Sequence, residues 1–234
     1  CSCALVGCGG GTVLLSKQDE VKIGAEAAAD FDRQHRVDRT SDLARRIAAI
    51  GERVAAHTDP PEYPYTFTLV REDTVNAFAI AGGYIYMYEG LIKELNNDTD
   101  AIAWVMGHEI THIQQRHAAK TIERAIGASV LIEIALGRKT AGQVANVVAG
   151  LALQDYGRKH EFTADKLGLV WTARAGYDPT AAIFVLQTFQ RLQEHEPSDL
   201  EIFFMTHPGN SDRIDHVKQS LDEYGYQGRY HGGG

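Results

Sequence analysis

The sequence predicts an α+β fold, mainly α, in which a small antiparallel β-sheet lies beside a central helix. Three observations carry that expectation. Apolar residues recur at spacings of three and four over most of the chain. The periodicity changes to two only between Tyr65 and Tyr88. A helix then follows that carries two histidines and a glutamate, "HEITH", in line with its apolar residues.

With 44% apolar and 23% charged residues, the 234-residue chain can bury an ordinary globular core. No internal repeat or low-complexity linker divides it, so residues 15–230 read as one domain. A net charge of −8 without a basic stripe offers nothing to neutralise phosphates and argues against a nucleic-acid partner. All three cysteines, Cys1, Cys3 and Cys8, fall in the opening stretch, so the body has no disulfide and no cysteine-ligated metal. Within "CSCALVGCGGG", Leu5-Val6-Gly7-Cys8 resembles a bacterial lipobox, in which the cysteine is lipidated. A brief apolar segment followed by a Gly linker suits a signal remnant over residues 1–14, the alternative being a frayed terminus. On the first reading the body belongs to the bacterial cell envelope, periplasmic and attached to a membrane through Cys8.

Each helix has its own start or stop signal. Residues 19–35 and 41–57 read as amphipathic helices; in the second, Leu43, Ile47, Ile50 and Val54 form the apolar row and Ser41 or Asp42 caps it. Pro60, Pro61 and Pro64 stop it. Three β-rich runs follow, "YTFTLV", "NAFAIA" and "YIYMY", with Gly82-Gly83 as a hairpin turn between the last two. Tyr84, Tyr86 and Tyr88 read as packing residues. The HEITH helix starts near Asp98, a good N-cap, with Asp100 in the first turn. Apolar stretches at 125–136 and 141–153 are each shorter than the roughly 20 residues that span a bilayer, and Glu133, Gln143 and Asn146 interrupt them. They read as core helices, with a membrane-associated hairpin as the alternative. Further helices are expected at 154–175, ended by Gly176, at 179–195 behind Asp178, and at 211–224.

Set out at about 100° per residue, Ala101, Val105, His108 and His112 form one row on the face a helix turns to the core. Burying an imidazole there without a partner costs about 1–3 kcal/mol. A divalent cation removes that cost, because two neutral imidazoles one turn apart can share a zinc ion. Glu109, beside the first histidine, is placed where a carboxylate can take a proton from water activated at the metal. The alternative is a pair of core histidines bonded to carboxylates or carbonyls.

A hydrolytic zinc needs three protein ligands and an open fourth position. Candidates for the third are His117, His160, Glu161 and His207. His117 follows His108 by nine residues, about 180° around a straight helix, and so reads as a surface or outer-layer histidine. Of the adjacent His160 and Glu161, only one can point inward. Glu161, Asp165 and Gly168 share a face at i, i+4 and i+7. That suits a site in which Glu161 binds the metal, Asp165 accepts the other N–H of a ligand histidine and Gly168 lets another helix come close. Spacing alone does not separate this from a solvated face beside Arg158 and Lys159. His207 stands in a loop stiffened by Pro208, accessible for chemistry or merely ending a turn. The run Asn76, Ala77, Phe78, Ala79 could offer a sheet edge to an extended peptide, or be an ordinary meander strand.

Taken together, HEITH, "HEFTADKLG" some fifty residues on, "THPGNSDRI" and the strand "NAFAIAGGYIYMYEGLI" resemble the HtpX-like and CAAX-prenyl-protease-type zinc metallopeptidases, peptidase family M48, and most nearly its soluble periplasmic, BepA- and LoiP-like branch. The resemblance implies a zincin-like fold, one zinc ion per chain and protein or peptide substrates. It implies His108, His112 and Glu161 as zinc ligands, Glu109 as general base, His207 as stabiliser of the oxyanion, and Asp165 and Arg213 in support. Thr111 stands where the family often has Gly or Ala, and Ile80-Ala81 where it often has Leu-Pro; neither removes a ligand. The expected function is a zinc-dependent endopeptidase acting on unfolded or misassembled envelope proteins. The alternative is a non-catalytic, zinc-stabilised binding or chaperone-like envelope protein.

Overall fold

A computed structural model of the chain describes residues 15–59, 63–123, 157–195, 207 and 210–230. The lipobox-like opening with Cys8, the apolar stretches at 125–136 (from 125 onward) and 141–153, and the loop residue Pro208 lie outside them. Among the described residues no helix is long and apolar enough to cross a membrane.

Helix α1 (Lys17–Gln34) starts where Ser16 Oγ accepts the amide of Asp19, and it buries Ile23, Gly24, Ala27 and Ala28. Helix α2 (Asp42–Ala55) is capped in the same way by Ser41 and turns Ala44, Ile47, Ile50 and Val54 inward. Between them lies β1 (Val37–Asp38), two residues long and too short to leave a periodic trace. The strands β2 (Thr66–Val70), β3 (Ala77–Ile80) and β4 (Tyr84–Tyr88) complete a sheet of order β1-β2-β4-β3.

That sheet corrects the antiparallel expectation. β3 and β4 form the predicted hairpin, turned by Gly82 and Gly83 at φ 87° and 113°, a region only glycine enters without strain. β2, however, pairs with β4 in parallel, Thr66 opposite Tyr84 through Val70 opposite Tyr88. The segment after β2 carries the chain past the place of β4 to the far side, so β4 fills the gap on its return. A meander would have left β3 beside β2; the observed sheet is mixed, with β3 at its edge.

Alternation sorts the side chains to two cores. Leu69, Ala77, Ala79, Ile85 and Met87 face the helical body, while Phe78, Ile80, Tyr86 and Tyr88 pack with Ile23, Ala27 and Ala28 of α1. Gly24 is what seats that helix: a Cβ there would lie 1.7 Å from the carbonyl oxygen of Ala81.

After α3 (Glu89–Glu94), helix α4 (Thr99–Gln114) carries HEITH. Asp98 caps it, its Oδ1 accepting the amides of Asp100 and Ala101 at 2.9 and 3.0 Å. Every residue from Ala101 to Ile113 is buried, so α4 has no wet side. The sheet, α2, α5 (Arg158–Arg174) and α6 (Ala181–His195) surround it, and α7 (Asn210–Tyr224) packs on α5 and α6. Near the described C-terminal end, Tyr230 Oη donates to Asp98 Oδ2 at 2.7 Å while Arg229 pairs with Asp98, Asp100 and Asp178, tying the starts of α4 and α6 together.

The tightest seam is α4 against α5, where glycine faces glycine. A Cβ on Gly107 would meet the carbonyl oxygen of Gly168 at 3.0 Å, and one on Gly168 would lie 3.2 Å from the amide nitrogen of His108. Gly168→Ala is expected to be near neutral, since a gain of about 1 kcal/mol in helix propensity offsets the tight contact. Gly168→Val is expected to cost about 1–3 kcal/mol by wedging the helices apart. The urea midpoints of the two variants against wild type test both expectations.

Candidate metal centre

The seam brings together residues from α4, α5 and the segment before α7. His108 and His112, one turn apart on α4, direct their Nε2 atoms to a common point and lie 3.0 Å from each other there. From α5, Glu161 presents Oε1 to His112 Nε2 at 3.3 Å and Oε2 to His108 Nε2 at 3.5 Å. His207 completes the group, its Nδ1 3.1 Å from Glu161 Oε2 and 3.4 Å from His108 Nε2. One donor atom from each of these four side chains falls within 4.8 Å of all the others. None of the four is more than 4% exposed.

Around this group the remaining predicted residues take distinct places. His108 turns Nδ1 to Asp165 Oδ1 at 3.0 Å. Arg213, from α7, grips Asp165 with two parallel bonds, Nε to Oδ2 at 2.8 Å and Nη2 to Oδ1 at 2.7 Å, and reaches Glu161 Oε2 with Nη1 at 3.0 Å. Glu109 stands on the far side of His207, 3.4 Å from its Nε2, with Oε2 buried and without a hydrogen-bond partner among the described residues. A narrow pocket reaches this carboxylate, lined by Ala77, Trp104, Val105, Phe189 and His207, with room for about one water molecule.

Of the predicted edge run, Ala77 alone lines the pocket. Ala79 faces the helical core beside it, while Phe78 stacks on Tyr86 on the opposite face of the sheet, ring centroids 5.2 Å apart. Asn76 is fully buried, and its side-chain amide has no hydrogen-bond partner among the described residues. β3 is the edge of the sheet as expected, but all four residues are covered.

Burial opposes charge on every group here, and the neighbours decide which charges survive. At His108, the hydrogen bonds and charges of Asp165 and Glu161 outweigh burial and hold the pKa up at about 9; at His112 burial prevails and it falls to about 3. Burial would raise Glu161 and Asp165, but His207 and Arg213 for the first, and Arg213 and His108 for the second, hold both below the usual carboxylate range. Glu109, with weaker compensation, is pushed up by burial. Ionised Glu161 and Asp165 face one guanidinium among the described residues, Arg213, and the negative charge left over is what favours a proton on His108 in this dry interior. Imidazole and carboxylate donors converging on that deficit fit a divalent cation.

Two features escape a reading by helical period. His117 is buried rather than outward: the helix breaks at 115–116, where Arg116 takes φ 54°, and His117 Nδ1 returns to 3.0 Å from His112 Nδ1. Only the apolar-poor "QQRH" after HEITH hinted at a stop. Thr111, at a position where the resemblance led to Gly or Ala, donates to the carbonyl oxygen of Gly107 and accepts Trp171 Nε1 at 3.1 Å, a polar bond across the seam. His160 points away from the cluster and stacks on His117, so of the adjacent pair it is Glu161 that faces inward.

A HExxH helix crossed by a second helix that supplies a buried carboxylate defines a metallopeptidase fold. More narrowly, the family model of peptidase family M48 matches residues 41–221, and the chain belongs to that family. It is 29% identical over 184 residues to the beta-barrel assembly-enhancing protease of Escherichia coli K12, covering 74% of this chain and 37% of that protein. It is 32% identical over 146 residues to the mitochondrial metalloendopeptidase OMA1 of Arabidopsis thaliana, covering 62% and 29%. With the metalloprotease LoiP of Escherichia coli K12 it shares 24% identity over 192 residues, 79% of this chain and 73% of that one. The chain thus spans well under half the length of the first two relatives.

Arg213→Met strands two buried carboxylates, and is expected to destabilise the metal-free protein by about 3–5 kcal/mol, the range for removing one member of a buried ion pair. Adding Asp165→Asn should recover part of the loss. Urea unfolding in the presence of a chelator measures both.

Proposed function

We propose that the chain is a zinc-dependent endopeptidase that binds one zinc ion through His108, His112 and Glu161. The observation that carries this reading is Glu109: a buried carboxylate with a free oxygen, opening on a pocket, beside three converging donors. A carboxylate so placed is costly in a purely structural site and useful in a hydrolytic one.

His108, His112 and Glu161 would hold the zinc ion, which when bound would supply a Lewis acid for the scissile carbonyl and lower the pKa of water to about 7. The protein's side chains do the rest. Glu109 takes the proton of the attacking water and hands it to the leaving amine. His207, freed from the cluster, donates to the oxyanion that forms on the substrate. Asp165 holds the Nδ1–H of His108, and Arg213 holds Asp165 and Glu161 in place. Ala77, at the edge strand, borders the space in which an extended substrate lies, and Asn76, Phe78 and Ala79 belong to the same edge.

His207 also favours a second reading. With its Nδ1 among the metal-facing atoms, it occupies the place that a substrate carbonyl needs. Held there permanently, it would leave a zinc-stabilised binding or chaperone-like protein without activity. Membership of a peptidase family weighs against that.

We extend the proposal to unfolded or misassembled proteins of the bacterial envelope as substrates; one relative is named for enhancing the assembly of β-barrels. Residues 1–14 as an export remnant lipidated at Cys8, and 15–230 as the periplasmic peptidase domain, complete it.

Glu109→Gln tests the reading. On an unfolded protein substrate kcat/KM should fall by about 10²–10⁴, the usual worth of a general base, while zinc by elemental analysis stays near one per chain. Wild-type cleavage by this variant would sink the mechanism.

A further inference from the structure

Two imidazoles face the cluster with Nε2, and each has a different group behind it. Behind His108 Nδ1 stands the carboxylate of Asp165 at 3.0 Å. Among the described residues, the group behind His112 Nδ1 is another imidazole, His117 Nδ1, also at 3.0 Å, the rings crossing at 70°. That contact is built, because a straight helix would carry His117 away. The left-handed Arg116 turns the chain back, and its side chain is held by buried Glu20, Nε to Oε2 at 2.9 Å, and by the carbonyl oxygen of Leu15. The other face of His117 stacks on His160 at 4.0 Å and 17°, and His160 directly precedes Glu161.

We propose that His117 is a positioning residue for the metal centre: its Nδ1 accepts the Nδ1–H of His112, which fixes the tautomer of His112 that leaves Nε2 free to bind zinc. The proposal rests on the reading of His108, His112 and Glu161 as ligands. A neutral imidazole carries one N–H and one lone pair. Two Nδ1 atoms at hydrogen-bond distance therefore share one proton, and a cation at Nε2 of His112 requires that proton on His112. His117 then carries its own hydrogen on Nε2. Through the stack on His160, the same ring registers the end of α4 against the first turn of α5, so both ligand-bearing helices are aligned by one residue.

Zinc-loaded wild-type protein with ¹⁵N-labelled histidine should show a scalar coupling across an N–H···N bond between the two Nδ1 atoms. Its absence overturns the proposal without any variant. In parallel, zinc affinity is measured by competition with a chromophoric chelator for His117→Asn, which offers an oxygen acceptor near the place of Nδ1, and His117→Phe, which keeps the ring and its stack but has no acceptor. His117→Phe should bind zinc about 10–100-fold more weakly, the usual effect of losing a group behind a ligand, with a shifted visible spectrum when loaded with cobalt. His117→Asn should stay within a few-fold of wild type with an unshifted spectrum. Equal affinity in all three proteins, or equal loss in both variants, overturns the assignment; if neither variant folds, the wild-type coupling decides. Failure of the underlying ligand reading looks different: the wild type itself would bind no zinc.

Discussion

The structure depends on balancing charge where water does not reach. Glu161 and Asp165 have no exposed surface, and burying an ion costs several kcal/mol even after relaxation. Arg213 answers Asp165 with a planar two-bond fork, which a lysine could not do, and reaches Glu161 with its remaining nitrogen. Because the fork fixes direction as well as distance, it sets α7 against α5, and through Asp165 it sets the ring of His108. What Arg213 leaves unanswered, a divalent cation would neutralise. Metal binding and folding then draw on the same free energy.

That balance requires the helices to approach more closely than side chains ordinarily permit. Gly107 and Gly168 allow it, and the bond from Trp171 to Thr111 holds the seam together just beyond the cluster. On the other side of α4 the edge strand β3 presents its small residues, Ala77 and Ala79, and turns Phe78 and Ile80 towards α1. Among the described residues, a narrow pocket beside the centre lies between the edge strand at Ala77 and Phe189 of α6.

Much of this was legible in the sequence, for identifiable reasons. A shared ion on one helix face imposes spacing, so His108 and His112 stood out at i, i+4 with Glu109 beside the first; for Glu161 and Asp165 spacing left a solvated face open, and the family resemblance singled them out. The caps at Ser41 and Asp98 could be read from residue type, because an N-cap is a local bond. The polarity contrast that singled out the histidines was weaker than it looked: α4 is buried on every side, so there was no wet face to compare with. What failed was whatever depended on distant partners. Parallel pairing of β2 and β4 is decided by where a hairpin inserts, and β1 exists only because β2 is beside it. His117 was misplaced because a single positive φ at Arg116, held by a residue on α1, breaks the 100° rule after HEITH. Arg213 could not be placed by spacing at all, since its carboxylate partner lies on another helix.

The position of His207 bears on which substrates the proposed enzyme can accept. Its ring spans from Glu161 to Glu109, Nδ1 on one side and Nε2 on the other, and so fills the space between the base and the metal-facing atoms. On the proposed reading a substrate must displace it, and a hydrogen bond to a charged group, such as that between His207 Nδ1 and Glu161 Oε2, is worth about 1.5–3 kcal/mol. A closed form favoured by about 3 kcal/mol leaves roughly 1% of molecules open, so the substrate's own binding has to supply the difference. A short exposed loop on a folded protein offers few contacts for that purpose. An extended, unfolded segment can add contacts along its whole length, against the strand edge at Ala77 and against the apolar walls formed by Trp104, Val105 and Phe189. On the proposed reading, the selectivity for unfolded chains therefore arises from how the closed site is held shut, before any side-chain pocket is consulted.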